Sequence, residues 1–372
     1  MSTPRSFEWL ERILIPVGAV LAAMLLFALF VGLAGYPPLE VFELLYKGGF
    51  GSSFSWNNTL QRAAPLILTG LAVAIPARAG LVIIGGEGAL VLGGLAAAIV
   101  GVWGLGGPAL PVQLAMLLAA TLAGALWIGL CGWLRHARGV NETISSLLLA
   151  YIGIALLNHF VEGPLKDPAS LNKPSTAPIG DTLMLGMTPG FDVHLGLGIG
   201  VVVALFAWVV TRFTTAGFAL QVVGGNPRAA QLAGLRTGAW LIGACAAGGA
   251  AAGLAGGIEV AAVHGAANSL LIVGYGYAGI LVAFMARHNP LAVIPVAILI
   301  GGINAAGGML QRRLDMPDAA VLVLQGMAFV LILASETLYG RIKFKRAAKA
   351  TAPAVTTTVT APTIATASGE KV

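Results

Sequence analysis

Ten apolar stretches, separated by short runs of charged, polar, glycine or proline residues, organise most of this chain. They lie near residues 13–35, 63–79, 81–101, 109–134, 142–161, 194–213, 237–262, 271–286, 289–306 and 318–338. A helix needs about 20 apolar residues to cross the hydrocarbon core of a bilayer. The pattern therefore predicts an all-α, polytopic integral membrane protein with about ten transmembrane helices over residues 13–338.

The third stretch is interrupted near residues 80–90, where the sequence reads Gly85-Gly86-Glu87-Gly88. Glycine weakens a helix and exposes its backbone polar groups. Inside a bilayer such backbone is tolerated only where it lines a cavity or is covered by protein. We therefore expect a broken or re-entrant segment here.

Composition agrees with a membrane protein, since 58% of residues are apolar and only 10% are charged, against about a quarter in soluble domains. The net charge of +6 is compatible with nucleic acid binding, but the basic residues sit at the ends of apolar stretches, which argues against it. The two cysteines, Cys131 and Cys245, lie inside predicted spans and are interpreted as small buried hydrophobes rather than a disulfide pair.

The basic residues predict the orientation in the membrane. An even number of spans places both termini on one side, and lysine and arginine favour the cytoplasm. With residues 1–12 and 339–372 in the cytoplasm, only six of the 21 basic residues lie outside, namely Lys47, Arg62, Lys166, Lys173, Arg312 and Arg313. The basic C-terminal tail is expected to touch anionic lipid headgroups and to be disordered.

Residues 224–236, between two apolar stretches, are too poor in apolar bulk to span a membrane. Asn226 suits the cap of a short helix and Pro227 its first position. Alanines leave one helix face bare, so that another protein can approach closely, as a motor docking on a transporter would. The predicted docking residues are Gly225, Asn226, Pro227, Arg228, Ala229, Ala230, Ala233 and Gly234.

Motifs for catalysis are missing from the sequence. It contains no nucleotide-binding loop of the form GxxxxGK[ST], no His and Cys pair with metal-ligand spacing and no nucleophile elbow. The sequence therefore predicts a non-catalytic chain that binds no metal and no cofactor of its own.

Polar residues within or beside the apolar stretches are candidates for a transport pathway, because each is costly in lipid. Glu87 either lines a pathway or bonds backbone amides at a structural kink. Asn141 and Glu142 open the fifth stretch, where capping is the favoured alternative. Tyr151, further along, is more typical of packing than of ligand contact.

Four further candidates lie around the outer end of the seventh stretch and the start of the eighth. Glu259, His264 and Asn268 are expected to face a substrate entrance or a wet interface. Tyr275, followed closely by Tyr277, offers a flat face for stacking an aromatic ligand, and an interfacial aromatic belt explains it about as well.

Seven motifs, in order, carry a resemblance to a known family. They are APLILTGL at 64–71, RAGL at 78–81, IGGEG at 84–88, GVNETIS at 139–145, GGNPRAA at 224–230, GYGYAGI at 274–280 and HNPL at 288–291. The chain resembles, from about residue 30 to 338, a permease subunit of bacterial ABC importers for nucleosides and simple sugars. It most resembles the larger of two paired permeases in guanosine- and nucleoside-type systems.

The resemblance implies a division of labour in the bacterial cytoplasmic membrane. A periplasmic or lipoprotein binding protein delivers substrate, and a second, homologous permease encloses the pathway with this chain as a heterodimer. An ATPase subunit uses the ATP and grips the helix at 226–235. The main alternative in mechanism is an ion-coupled secondary transporter, which has no need of that helix.

The sequence departs from the family pattern at three places. Val82 and Ile83 replace a usual Phe-Asn, Ala89 replaces Gln, and Ala150 replaces Asn. The loss of three amides from a region expected to face the pathway argues against a purine nucleoside. It leaves room for a smaller or less polar heterocycle, such as a vitamin. The predicted substrate is therefore a nucleoside-like or other small polar heterocyclic compound, with a simple sugar or a vitamin as alternatives.

Overall fold

The computed structural model describes residues 5–170, 173–188, 190 and 192–336. Thirteen α-helices occupy most of this part, and no β-strand occurs in it, which confirms the all-α class. They are α1 (Arg5–Leu33), α2 (Pro38–Phe50), α3 (Ser53–Ala77), α4 (Gly86–Trp103), α5 (Ala109–Arg138), α6 (Glu142–Glu162), α7 (Gly196–Phe213), α8 (Thr215–Gly225), α9 (Pro227–Leu232), α10 (Thr237–Glu259), α11 (Tyr275–Met285), α12 (Pro290–Leu314) and α13 (Ala319–Glu336). The predicted tail at 339–372 lies outside the described residues.

The predicted number of about ten spans is wrong. Among the described residues, seven helices are long and apolar enough to cross a membrane, or eight if α1 and α2, bent by 119°, form one broken span. The stretches at 271–286 and 318–338 become shorter apolar helices instead. The 11 residues of α11 reach only about 16 Å, which is roughly half of the bilayer core.

The break predicted near 80–90 is present between α3 and α4. The chain turns at Gly80, whose φ is +75°, and remains non-helical until Gly86. Hydroxyls of α6 satisfy part of the freed backbone: the Ile84 N–H donates to Ser146 Oγ (3.1 Å), and Thr143 Oγ1 donates to the Val82 carbonyl (2.9 Å). Helix α6 therefore partners part of the irregular segment, while Val82 remains 40% exposed.

Helix α10 forms the centre of the bundle, packed against α3, α4 and α5. Small residues allow this approach: a Cβ added to Gly124 of α5 would lie only 2.7 Å from the Cα of Gly253 in α10. Helix association in lipid depends on such close packing, because burial of apolar surface gives no driving force there.

Most of the described arginines gather at one end of the bundle, which we call the basic end. It comprises the ends of α3, α5, α7 and α11, the starts of α6, α10 and α12, and helices α8 and α9. Contacts hold these parts together, such as Gly224 beside Gly80 and the ion pair between Arg135 and Glu142 at 3.3 Å. The arginines are Arg78, Arg135, Arg138, Arg212, Arg228, Arg236 and Arg287.

Helices α1 and α13 run antiparallel to each other. Phe27 and Val31, late in α1, share a buried cluster with Val321 and Leu324, early in α13. Helix α13 follows α12, which starts at the basic end and leads away from it. The start of α1 and the last described residues of α13 therefore lie on the side of the basic end.

Candidate functional site

The broken segment and α11 meet at a buried carboxylate. Glu87, in the first turn of α4, is completely buried. Its Oε1 accepts from the Gly274 N–H at 2.8 Å, and its Oε2 accepts from the Gly276 N–H at 2.6 Å. The first N–H groups of a helix have no partner within the helix and carry partial positive charge, so an anion stabilises them. Glu87 thus caps α11 from the start of α4, and we call this meeting point the junction.

Two glycines permit the close approach at the junction. Gly274 has a φ of +88°, a left-handed conformation that side chains with a Cβ rarely adopt. A Cβ on Gly276 would lie 2.5 Å from the Cα of Glu87. The GGEG and GYG motifs therefore form the two sides of one contact. Of the two interpretations of Glu87 from the sequence, the structure shows the bonding to backbone amides.

Three further candidate residues surround the junction. His264 Nε2 lies 3.5 Å from Glu259 Oε2, and both side chains are largely buried. The charge of Arg62, on α3, interacts with the Glu259 carboxylate and with the hydroxyl of Tyr275, the first residue of α11. The structure thus brings Glu259, His264 and Tyr275, from one part of the sequence, close to Glu87 from another.

The other four candidates are placed differently. Asn141 caps α6 by accepting from the Ile144 N–H at 3.1 Å, and Glu142 pairs with Arg135, so both act at the basic end. Tyr151 is 60% exposed on α6. Asn268 caps the short 3₁₀ turn that follows it, through the Leu270 N–H at 2.9 Å, in the segment between α10 and α11.

A polar cavity of about 230 Å³ lies beside the junction, between α3, α11, α12 and the start of α13. Its polar lining residues are Arg62, Tyr275, Asn304, Asp318 and Gln325. Gln325 Nε2 donates to Asn304 Oδ1 at 2.5 Å. Sequence reasoning did not select Arg62, Asn304, Asp318 or Gln325 as site residues. Asn304 and Gln325 lie inside apolar stretches and carry the same signal that singled out Glu87.

The three positions that depart from the family pattern do not face a pathway, and that expectation is wrong. Ile83 is 1% exposed, and Ala89 and Ala150 are fully buried. A Cβ on Gly88 would lie 2.6 Å from the Cα of Ala150, so the backbones of α4 and α6 nearly touch. Small side chains are needed there for packing, and their identity says little about the substrate.

The segment at 224–236, which we call the docking segment, forms a short capped helix at the basic end. Asn226 Oδ1 accepts from the N–H groups of Arg228 and Ala229, both at 3.1 Å. Leu232 is 91% exposed. Ala230, however, is fully buried against the rest of the chain, so its predicted place on the bare face is wrong.

The docking segment is attached to the turn after α3. A Cβ on Gly224 would lie 2.8 Å from the carbonyl carbon of Ala79. Burial and the nearby charge of Arg212 lower the pKa of Arg78 in this turn. Burial and the charge of Arg78 likewise lower the pKa of His288, between α11 and α12. The turn after α3 therefore contacts the docking segment, and the charge of Arg78 acts on His288 beyond the end of α11.

No group of three or more His, Cys, Asp or Glu side chains in the described part of the chain is arranged to hold a metal ion. Interrupted helices that meet inside an apolar bundle are typical of membrane transport proteins. Residues 55–333 match the family described as the permease component of the branched-chain amino acid transport system, and the chain belongs to that family.

Curated relatives agree with this membership. The chain is 33% identical to a glucose ABC transporter permease of Haloferax volcanii, over 86% of this chain and 87% of the relative. It is 30% identical to a guanosine ABC transporter permease of Bacillus subtilis, over 91% and 99%. It is 24% identical to a nucleoside ABC transporter permease of Lactococcus lactis, over 92% and 97%. The chain is a permease subunit of an ABC importer, and ATP hydrolysis belongs to a separate subunit, which excludes the secondary transporter.

Proposed function

We propose that this chain and a second, homologous permease enclose the pathway of an ATP-driven importer, and that the docking segment binds the ATPase. The observation that carries the proposal is the contact chain from one end of the molecule to its middle. The docking segment contacts the turn after α3 through Gly224, and that turn leads through the broken segment to Glu87 and the capped start of α11. Movement of the ATPase against α9 would therefore reach the junction.

The exposed part of the docking segment supports its role as a binding surface. Ala229, Leu232 and Ala233 are exposed, and Arg228 adds charge beside them. Small residues around one protruding leucine suit insertion into a groove on a partner protein. This chain supplies no nucleotide site in the proposal, and the partner subunit binds and hydrolyses the ATP.

Polar groups at membrane depth support a second permease as partner. Arg62 is exposed although it lies inside α3, and an arginine facing lipid is costly. In the proposal this face borders the pathway that the two permeases share. The membrane lipids contact the remaining apolar faces, and nucleic acid is not a partner.

The proposed substrate is nucleoside-like or another small polar ring compound that a binding protein delivers, with a simple sugar or a vitamin as alternatives. Relatives named for guanosine, nucleosides and glucose are consistent with this range.

The loop between α6 and α7 is a suitable contact surface for the binding protein, since it lies across the end opposite the basic end. The Ile179 N–H donates to the Gly265 carbonyl (2.9 Å), and Gln113 Nε2 donates to the Met184 carbonyl (3.0 Å).

The proposed orientation places the basic end in the cytoplasm, because arginines favour that side. It is tested by Arg228→Cys in intact cells. Both native cysteines are fully buried, so a membrane-impermeant maleimide should label the variant only after the cells are opened. Labelling of intact cells would overturn the orientation.

The docking role is tested by Ala229→Trp and Ala233→Trp, both on the exposed face of the docking segment. Each tryptophan should hold the ATPase away, so that ATP-driven uptake and co-purification with the ATPase are lost while thermal stability is kept. Ala109→Trp is the matched control, because Ala109 is exposed at the opposite end. Normal uptake by both docking variants would exclude this segment as the ATPase contact.

A further inference from the structure

The polar cavity beside the junction lies close to the middle of the bundle. Arg62 is nine residues into α3, about 14 Å along its axis, and Asn304 is ten residues before the end of α12, about 15 Å. A bilayer core is about 30 Å thick, so both side chains start near its midplane. Transporters commonly bind substrate at this depth, beside discontinuous helices such as α11.

The cavity offers hydrogen-bonding groups that the protein does not use fully. One hydrogen bond joins the two amides, from Gln325 Nε2 to Asn304 Oδ1. The NH₂ group of Asn304 and the carbonyl oxygen of Gln325 make no other hydrogen bond within the described residues, and each is free to meet a hydroxyl. The Tyr275 hydroxyl adds a third group from the start of α11.

The charges and size of the cavity restrict what fits. One cation, Arg62, and one anion, Asp318, line it, so it favours neither an anionic nor a cationic ligand. Its volume of about 230 Å³ is below the roughly 300 Å³ at which pockets for drug-sized molecules begin. These properties suit one neutral ring with several hydroxyls.

We propose that this cavity is a midplane binding station within this single subunit, where Asn304, Gln325 and Tyr275 hold one neutral, polyhydroxylated ring. The inference rests on the proposed function and narrows it to a single ring, since the volume of about 230 Å³ lies below the range typical of drug-sized ligands. The ligand is then held by α3, α11, α12 and α13 of one permease rather than shared equally across the interface with the second.

The test uses cells that express the complete importer and radiolabelled D-ribose, D-glucose and guanosine. The double variant Asn304→Leu/Gln325→Leu removes both amides together, which avoids leaving one of them buried and unpaired. We expect uptake of a monosaccharide by the unaltered protein and a fall of at least about tenfold in the double variant, with thermal stability and basal ATP hydrolysis retained. The control is Gln221→Leu, at an exposed position on α8, which should leave uptake unchanged.

Each outcome decides the proposal. Monosaccharide uptake that persists in the double variant would show that the cavity is not the station. Import of guanosine alone, or of neither sugar, would overturn the single-ring restriction. Loss of uptake in the double variant but not in the Ala229→Trp variant would refute the docking role while leaving the cavity in place.

Discussion

The docking segment and the junction are built in opposite ways, although both depend on the start of a short helix. The docking segment is continuous in sequence, and Asn226 caps α9 from the adjacent position. At the junction the cap of α11 is Glu87, far away in the sequence and fully buried. A local cap leaves a helix free to protrude, whereas a remote cap binds two halves of the bundle to each other.

This difference in capping predicts whether a substitution mainly alters partner binding or mainly alters folding. Residues of the docking segment are mostly exposed, so changes there should alter partner binding more than folding. Residues of the junction satisfy backbone groups that are buried or largely buried, so changes there should lower the free energy of unfolding and disturb transport together.

The largest effect is expected for Glu87→Ala. It leaves the partly buried N–H of Gly274 and the buried N–H of Gly276 without their acceptor, at about 1–3 kcal/mol for a fully buried group. Thermal unfolding of the purified protein in detergent should therefore begin at a clearly lower temperature, and uptake should be abolished. Glu142→Ala is the comparison, since its partner Arg135 is 43% exposed and the pair should contribute less than about 1 kcal/mol. Equal losses from the two variants would contradict the special role of the junction.

A second effect, somewhat smaller, is expected for Gly276→Ala. The added methyl group meets the backbone of Glu87 and forces α4 and α11 apart, which costs about 1–3 kcal/mol as other overpacking does. Gly225→Ala, where nothing lies within 4 Å of the added carbon, is the control for folding. Chemical denaturation followed by tryptophan fluorescence measures both, and an unaffected Gly276→Ala protein would mean that the junction is loosely packed.

A third effect, confined to the docking segment, is expected for Asn226→Ala. Removing the cap destabilises α9 by about 1 kcal/mol, so its amides should exchange faster with deuterium while the global melting temperature stays the same. ATPase binding should weaken several-fold, and Asn226→Asp, which keeps a capping oxygen, should restore it. A lowered melting temperature would show that the docking segment is part of the core.

The smallest effect concerns pH. Burial, helped by Arg78, lowers the pKa of His288, so the folded protein favours the neutral ring. The resulting stability is present above the ordinary pKa of about 6.5 and is lost as the pH falls through the folded value. The His288→Gln protein should therefore lose less thermal stability than the parent between about pH 7.5 and 5.5. The exposed His159→Gln variant should follow the parent, and identical curves for all three would exclude this contribution.

Local features were predictable from the sequence because their causes are local. The apolar stretches, the break at Gly85-Gly86-Glu87-Gly88 and the cap at Asn226 each follow from neighbouring residues. The number of spans was not predictable in this way. The apolar stretch at 271–286 has 16 residues and predicts a short span. In the structure its first residues are irregular, so the helix begins at Tyr275 and has only 11 residues.

The functional predictions likewise separate into those that the sequence supports and those that depend on tertiary packing. The order of motifs alone indicated an ABC permease, and family membership confirms it. The burial of Ala230, Ala89 and Ala150 could not be foreseen, because an alanine has the same sequence signal on a bare surface and in a close helix contact.

The sequence by itself determined the class of this protein, its membrane character and the capped helix within residues 224–236, since hydrophobicity, glycine and capping act over a few residues. Only the tertiary structure decided that Glu87 caps α11 and that Arg62, Asn304 and Gln325 share one cavity. The physical reason is that a buried polar group must find a partner, and in a helical bundle the nearest partner in space is often distant along the chain.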